Sequence, residues 1–259
     1  MAKKPETIIE YKKWLKDEHN IGITEQTKNY YNSVTNTIKV NFENSPFWSK
    51  LTQNLIEFND QFSLDTQYQL LDQTEIKLFV KSFDSFLEKT FRKNIVFNEN
   101  WPKPPNGGWV LEHNWFSRIN DIVRTLITVK YLDGVDFLLK KLEALCMECN
   151  LESNKKFEAR EDGYYAVHIH IENEFEIPKK DWDTIKIPVI IEIQITTQLQ
   201  EVIRKLLHRY YENKRRLPNL DDSWKWNYKS NEFATNYLGH ILHYIEGMIV
   251  EARERQRTE

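Results

Sequence analysis

The sequence predicts an α+β fold: a mixed β-sheet flanked by helices, with helical extensions at the N- and C-terminal ends. Three observations predict it. Apolar residues recur at helical spacing in the polar segment 1–75 and again in the final stretch "FATNYLGHILHYIEGMIVEARERQR". Runs that alternate with period two lie in the middle of the chain, separated by helix-patterned segments. No internal repeat or clear linker interrupts the 259 residues, so the organisation reads as one domain: a helical part at 1–75, a core at 76–215, and a loop with a long helix at 216–259.

In order, "IIEYKKWL" and "FWSKLTQNLIEF" belong to two or three helices within 1–75. "EIKLFVKSF", 75 to 83, reads as a short strand and "SFLEKTFRKNI" as a helix, with a strand-to-helix junction near Lys81. "NENWPKPPNGGW", 98 to 109, holds three of the eight prolines and two of the seven glycines, the composition of an irregular surface loop. Then come a strand in "DIVRTLITVKYL", a helix in "GVDFLLKKLEALCMEC", and strands in "KKFEA", "YYAVHIHIE" and "PVIIEIQIT". A basic helix over 198–215 and the loop "SWKWNYK" precede the final helix.

With 40% apolar residues the chain can bury a sizeable core without disulfides. Its two cysteines, Cys146 and Cys149, lack the second pair of a zinc site and read as reduced thiols on a helix. No apolar run approaches a bilayer span, and "MAKKPETIIEYKKW" has no long apolar stretch after its lysines, so a cytoplasmic protein without membrane contact is expected. The net charge of −3 excludes general coating of nucleic acid but hides a local basic stretch. "RKLLHRYYENKRR" sets Arg204, Lys205, Arg209, Lys214, Arg215 and Arg216 against the single Glu212.

In "VIIEIQIT" the alternation assigns Ile191, Ile193 and Ile195 to the core and Glu192, Gln194 and Thr196 to the other face. An isolated buried carboxylate is costly, so Glu192 faces solvent, a cation or a substrate cleft. In "GYYAVHIHIE", Tyr164, Ala166, His168 and His170 share a face, and the small residue between an aromatic and an imidazole leaves room for a ligand. If the strand that Asp121 opens lies beside that of Glu192, two carboxylates meet at one end of the sheet, a common way to hold magnesium. Lys81, Ser85 and Lys89 recur every four residues, with Arg92 one turn further, and cations with a hydroxyl in one row suit a polyphosphate.

In this order the elements resemble the synthetase domain of the RelA/SpoT family, over roughly half the chain. The resemblance rests on Lys81-x3-Ser85-x3-Lys89, Asp121 in "DIVRT", Gly163-Tyr164-x3-His168, Glu192-Ile193-Gln194, and His208 and Tyr211 in "LLHRYYE". It implies a nucleotidyltransferase-like fold and an enzyme that transfers pyrophosphate from ATP to a ribose 3'-hydroxyl. It further implies that Lys81, Ser85, Lys89, Arg92 and Arg124 hold ATP, that Asp121 and Glu192 are catalytic and position Mg2+, and that Tyr164, His168 and Gln194 serve the acceptor. With no His-Asp hydrolase motif ahead of it, the resemblance implies synthesis without hydrolysis.

The sequence departs from that family at several points. Phe79 stands where the family has an arginine two residues before the first lysine, Arg124 stands fourth in the motif that Asp121 opens where the family has its arginine sixth, and Thr196 replaces a further arginine. "NENWPKPPNGGWVLEHNWF" looks like an extension. Together with "DGYY" and "KYLDG", these features are similar to the toxic branch of small alarmone synthetases, which implies a tRNA 3'-CCA acceptor, inhibition of translation and an antitoxin partner. The basic residues of 204–216 would then meet tRNA phosphates, and "SWKWNYK" would stack on bases or bind the antitoxin, unless its aromatics simply pack. Two other readings are a synthetase of (p)ppGpp, or of an adenosine analogue, and a catalytically dead module that binds RNA or protein.

Overall fold

A computed structural model describes residues 3–179, 183–214 and 222–258, with backbone only at 207–214, 222 and 258. The element order is α1 (Ile8–His19), α2 (Glu25–Glu43), α3 (Pro46–Thr66), β1 (Phe79–Val80), α4 (Phe83–Phe91), α5 (Trp115–Arg118), β2 (Val123–Val129), α6 (Leu132–Glu148), β3 (Glu152–Ala159), β4 (Tyr165–Pro178), β5 (Thr184–Thr197), α7 (Gln198–Lys214) and α8 (Asn231–Thr258). A π-helical turn, Arg92–Val96, continues from α4. The five strands form a mixed sheet in the order β1-β2-β5-β4-β3, as the α+β expectation requires. Among the described residues no helix is long and apolar enough to cross a membrane.

The helices α1, α2 and α3 precede the sheet, each readable from its apolar spacing. Thr7 caps α1 by accepting from the Glu10 amide, and Thr24 with Thr27 forms a capping box on α2. The strand expected over 75 to 83 shrinks to Phe79–Val80. In contrast, β4 and β5 run to 14 residues each, well past the expected segments. The extension "ENEFEIP" alternates exposed Glu172, Glu174 and Glu176 with buried Phe175 and Ile177, so its strand signal is carried as much by the glutamates as by the apolar residues.

The chain divides into two compact units, Met1–Ser45 with Leu78–Arg124 and Glu172–Glu192, and Pro46–Lys77 with Thr125–Ile171 and Ile193–Glu259. The first is centred on aromatic packing. The buried Tyr31 ring on α2 lies 4.6 Å from Phe86, 5.3 Å from Phe83 and 6.0 Å from Phe116, and Trp115 meets Phe86 edge-on at 5.2 Å. These contacts fix α4 and the segment after β1.

In the second unit Leu51, Leu55, Phe58 and Phe62 of α3 form a buried stripe, with Phe62 meeting Phe137 of α6 edge-on at 5.2 Å. Arg253 of α8 lies 3.9 Å from the Tyr68 ring and 4.4 Å from that of Tyr131, and pairs with Asp133 at 3.2 Å. Cys146 and Cys149 are free thiols. Burial pushes the Cys146 thiol up to about 11, so it is protonated and inert at neutral pH.

Gly163 closes the turn into β4 with φ at +77°, a conformation that favours glycine. It also touches α8: a Cβ on Gly163 would lie 2.5 Å from the Asn236 carbonyl oxygen and 2.9 Å from the Gly239 Cα. A methyl on Gly239 would in turn run into the Gly163 carbonyl. Inside an exposed helix, Gly→Ala gains about 1 kcal/mol from propensity. Here the clash dominates, so Gly239→Ala is expected to lower stability in urea unfolding by about 1–3 kcal/mol, and an unchanged or raised midpoint would refute the contact.

Candidate functional site

The first unit brings two of the expected phosphate-binding residues, Lys81 and Lys89, onto one carboxylate. Lys81 follows β1, its amide donating to the Ile122 carbonyl at 2.8 Å and its carbonyl accepting from the Tyr31 hydroxyl at 2.9 Å. Held at both backbone ends, it aims its ammonium at Asp121, with Nζ 2.8 Å from Oδ2. Lys89, two turns into α4, reaches the other oxygen at 2.7 Å. Lys81 therefore precedes the helix rather than standing in its row, and meets Lys89 through Asp121.

Asp121 is 8% exposed and sits in the turn before β2. Burial works against its ionisation, but Lys89 and Lys81 overcome it and hold the carboxyl below its ordinary range. Burial pulls Lys81 down, opposed by Asp121 and reinforced by Lys89 and Arg124. Burial and then Asp121 push the Tyr31 phenol up, so that it remains a donor. Ser85, exposed on the first turn of α4, accepts from the Ser82 hydroxyl at 2.9 Å, while Ser82 caps the helix by accepting from the Ser85 amide. Arg92 opens the π-helical turn, and the next residue, Lys93, donates to the Arg118 carbonyl at 3.0 Å.

The β1–β2 register accounts for an arginine that is out of place in the sequence. Phe79 is directly opposite Arg124. Directly opposed residues of an antiparallel pair project to the same face with Cβ atoms about 5 Å apart. Arg124 and Phe79 thus share one face of the sheet, and Phe79 is 57% exposed. Glu192 lies in β5, the strand next to β2, and is 6% exposed. Ile191, Ile193 and Ile195 are fully buried as expected, but Glu192 and Thr196 on the opposite face are buried as well, so that face is covered rather than wet.

In the second unit the Tyr164 hydroxyl lies 3.0 Å from His168 Nε2, and the Arg160 guanidinium covers one side of the Tyr164 ring at 4.8 Å. His168 is buried, and Tyr164, His170 and Gln194 are half-buried. Arg160 belongs to the tight turn that precedes β4, its amide donating to the Tyr164 carbonyl at 3.0 Å. Thr196 donates to the Tyr165 carbonyl at 2.9 Å, a purely structural bond where the resemblance has an arginine.

Part of the basic stretch is internally neutralised. Arg204 contacts Glu201 at 2.5 and 2.8 Å, and Lys205 reaches the same carboxylate at 3.4 Å. Arg209 and Lys214, with His208 and Tyr211, are described only as backbone of α7, and Arg215 and Arg216 lie outside the described residues. In "SWKWNYK", Trp224 is buried and Lys225 pairs with Glu161 at 3.1 Å, while Trp226 and Tyr228 are 87% and 72% exposed.

Sequence reasoning missed Tyr31, Ser82 and Arg160. Tyr31 reads as an ordinary core position of an amphipathic helix, and Arg160, in "EAREDG", as a solvated turn.

Removing one clamp leaves Asp121 under-compensated. Lys89→Met is expected to lower the unfolding free energy at pH 7 by about 1–3 kcal/mol. Because the native Asp121 carboxyl titrates below its ordinary 3.8, the clamp's contribution is complete above that value and is lost as pH falls through the lower native one. The difference between wild type and variant should therefore shrink in acid, and a gap that is constant down to pH 2 would contradict the assignment.

No protein-family model matches the chain. No curated protein matches it either. Among solved structures, the small alarmone synthetase 1 from Bacillus subtilis bound to its product pppGpp is 15% identical with a TM-score of 0.50, over 84% of this chain and 97% of that one. A GTP pyrophosphokinase family protein from Streptococcus pneumoniae is 16% identical with a TM-score of 0.48, over 91% of this chain and 97% of that one. At these identities the likeness to the Bacillus protein establishes one thing, that this chain has the fold of a small alarmone synthetase.

Proposed function

We propose that this chain is an ATP-dependent pyrophosphokinase that moves the β,γ-diphosphate of ATP onto a ribose 3'-hydroxyl. The observation that carries the reading is the buried Asp121 carboxylate held by Lys81 and Lys89. Phosphate oxygens can replace the carboxylate as partners of the two ammonium groups, provided that a cation then meets the charge left on buried Asp121. Arg124, Arg92 and the Ser85 hydroxyl complete the donor set for ATP, with Arg124 taking the role that position 79 leaves open.

The residues fit Mg2+, since Asp121 offers two hard, ionised oxygens whose partners are lysine ammonium groups rather than backbone amides. Asp121, with Glu192 from the adjacent strand, would hold the ion, which when bound neutralises charge on the transferring phosphates. The acceptor 3'-oxygen attacks the β-phosphorus, the bond from that phosphorus to the α,β-bridging oxygen breaks, and AMP leaves with the electron pair. Glu192 takes the hydroxyl proton. Most of the acceleration is positioning and charge neutralisation. Tyr164, steadied by Arg160 and His168, carries the acceptor base on its ring, with Gln194 beside it on the acceptor side.

For the acceptor we favour the tRNA 3'-CCA end, which makes the protein a translation-blocking toxin with an antitoxin partner. The basic residues of 209–216 and the exposed Trp226 and Tyr228 support that reading, while Arg204 and Lys205, tied to Glu201, contribute less. The Bacillus structure of the same fold holds pppGpp, so guanosine nucleotides are the second acceptor to test.

Incubation with γ-labelled ATP and deacylated tRNA, GDP or GTP should put label on the RNA 3' end. Label in GDP or GTP reassigns the acceptor, and no transfer to any acceptor, with RNA binding indifferent to Asp121→Ala, would leave a binding module and sink the proposal. Asp121→Ala and Glu192→Ala should abolish transfer. Tyr164→Ala should weaken acceptor binding by the ~1–3 kcal/mol of a lost base stack. Arg124→Ala should raise the KM for ATP about tenfold through a lost charge-assisted contact, and an unchanged KM would remove Arg124 from the site.

A further inference from the structure

Residues 98–110 take no part in the proposed reaction, yet they are tied firmly to α1. The buried Asn94 brackets Val110, its Nδ2 donating to the Val110 carbonyl at 2.9 Å and its Oδ1 accepting from the Val110 amide at 2.9 Å. The same Nδ2 donates to the Tyr11 hydroxyl on α1 at 2.8 Å, and Asn98 Nδ2 donates to the Lys103 carbonyl at 2.8 Å. Trp101 and Trp109 are thereby fixed beside Trp14 and His19. Together with Glu18 and Pro102 they line a cavity of about 180 Å³, wholly within the first compact unit.

We propose that this cavity binds an organic cation, an alkylammonium or guanidinium group, against the three tryptophans with Glu18 as its counter-charge. The ring centroids form a triangle of 5.0, 5.7 and 6.0 Å, with interplanar angles of 61°, 58° and 69°. A cation seated over that triangle lies within ~6 Å of all three centroids, the range in which the ring quadrupole attracts it, and tryptophan is the strongest such ring. Glu18 is exposed at the rim, and among the described residues no lysine or arginine pairs with it. Burial holds His19 below its ordinary value, so at neutral pH its ring is an uncharged wall and Glu18 is the charged residue of the lining.

A nucleotide fits this cavity poorly. The steep angles between the rings leave no parallel slot for a planar base, and Glu18 repels phosphate. The volume also falls below the ~300 Å³ at which pockets begin to take whole drug-sized ligands, so a head group enters and a nucleoside does not. The ordered loop keeps the rings in place before binding, which lowers the entropic cost of capture.

The test is titration of the full chain by tryptophan fluorescence with choline, with its uncharged isostere 3,3-dimethylbutan-1-ol, and with an arginine-containing peptide. A saturable change is expected with the cations and none with the isostere. Trp109→Leu should weaken binding about tenfold and Glu18→Gln about threefold. Should the tryptophan variant fail to fold by circular dichroism, the exposed Glu18→Gln still decides. Tighter binding of choline identifies a small-molecule ligand, and tighter binding of the peptide identifies a side chain of a protein. No saturable response to either cation, an equal response to the isostere, affinities unchanged in the folded variants, or a response confined to a nucleoside monophosphate would overturn the proposal.

Discussion

One buried carboxylate organises the first compact unit. An aspartate 8% exposed is unfavourable unless its charge is met, and Asp121 is met twice. That requirement constrains everything around it. The β1–α4 junction must bring Lys81 to one oxygen, α4 must carry Lys89 to the other, and α2 must supply the Tyr31 hydroxyl that holds the Lys81 carbonyl. The dense packing of Tyr31, Phe83, Phe86 and Trp115 is what makes the placement rigid, because such rings leave few alternative arrangements for the junction. The result is a pair of lysines already deprived of much of their water, facing an anion that another anion can replace.

The same economy of aromatic packing recurs at α1, where it builds a different surface. Tyr11 stacks on Trp14 at 5.7 Å, and Trp14 continues outward to Trp101 and Trp109. Core and cavity wall are therefore successive layers of one assembly, with Asn94 as the polar link between them. A loop of 98–110 with this many backbone anchors is a built part of the unit, although prolines and glycines give it the composition of a connector.

Long helices and the isoleucine strand were legible because apolar spacing reports burial directly. The junction near Lys81 was legible too. Three features were not. The far half of β4 hid its alternation behind Glu172, Glu174 and Glu176, which a search for apolar residues passes over. Lys81 looked like part of a helical row because a spacing of four is shared by a residue just outside the helix. The relation of Arg124 to Phe79 is a matter of strand register, which depends on pairing between segments distant in the chain and leaves no local trace. Tyr31 and Arg160 illustrate the same limit, since each acts through a partner that only folding brings near.

The meeting of Gly163 and Gly239 sets a rule for how this chain can vary. Most close contacts tolerate change because enlargement on one side is relieved by trimming on the other. Here both partners are already the smallest residue, and each is opposed by main chain that no substitution shortens. A mutation at either position has no reciprocal repair at the other, so the two glycines are locked independently. The turn that carries Tyr164 into the strand of His168 then inherits its position from the final helix, and a lineage that loses this helix must rebuild that strand's entrance by other means.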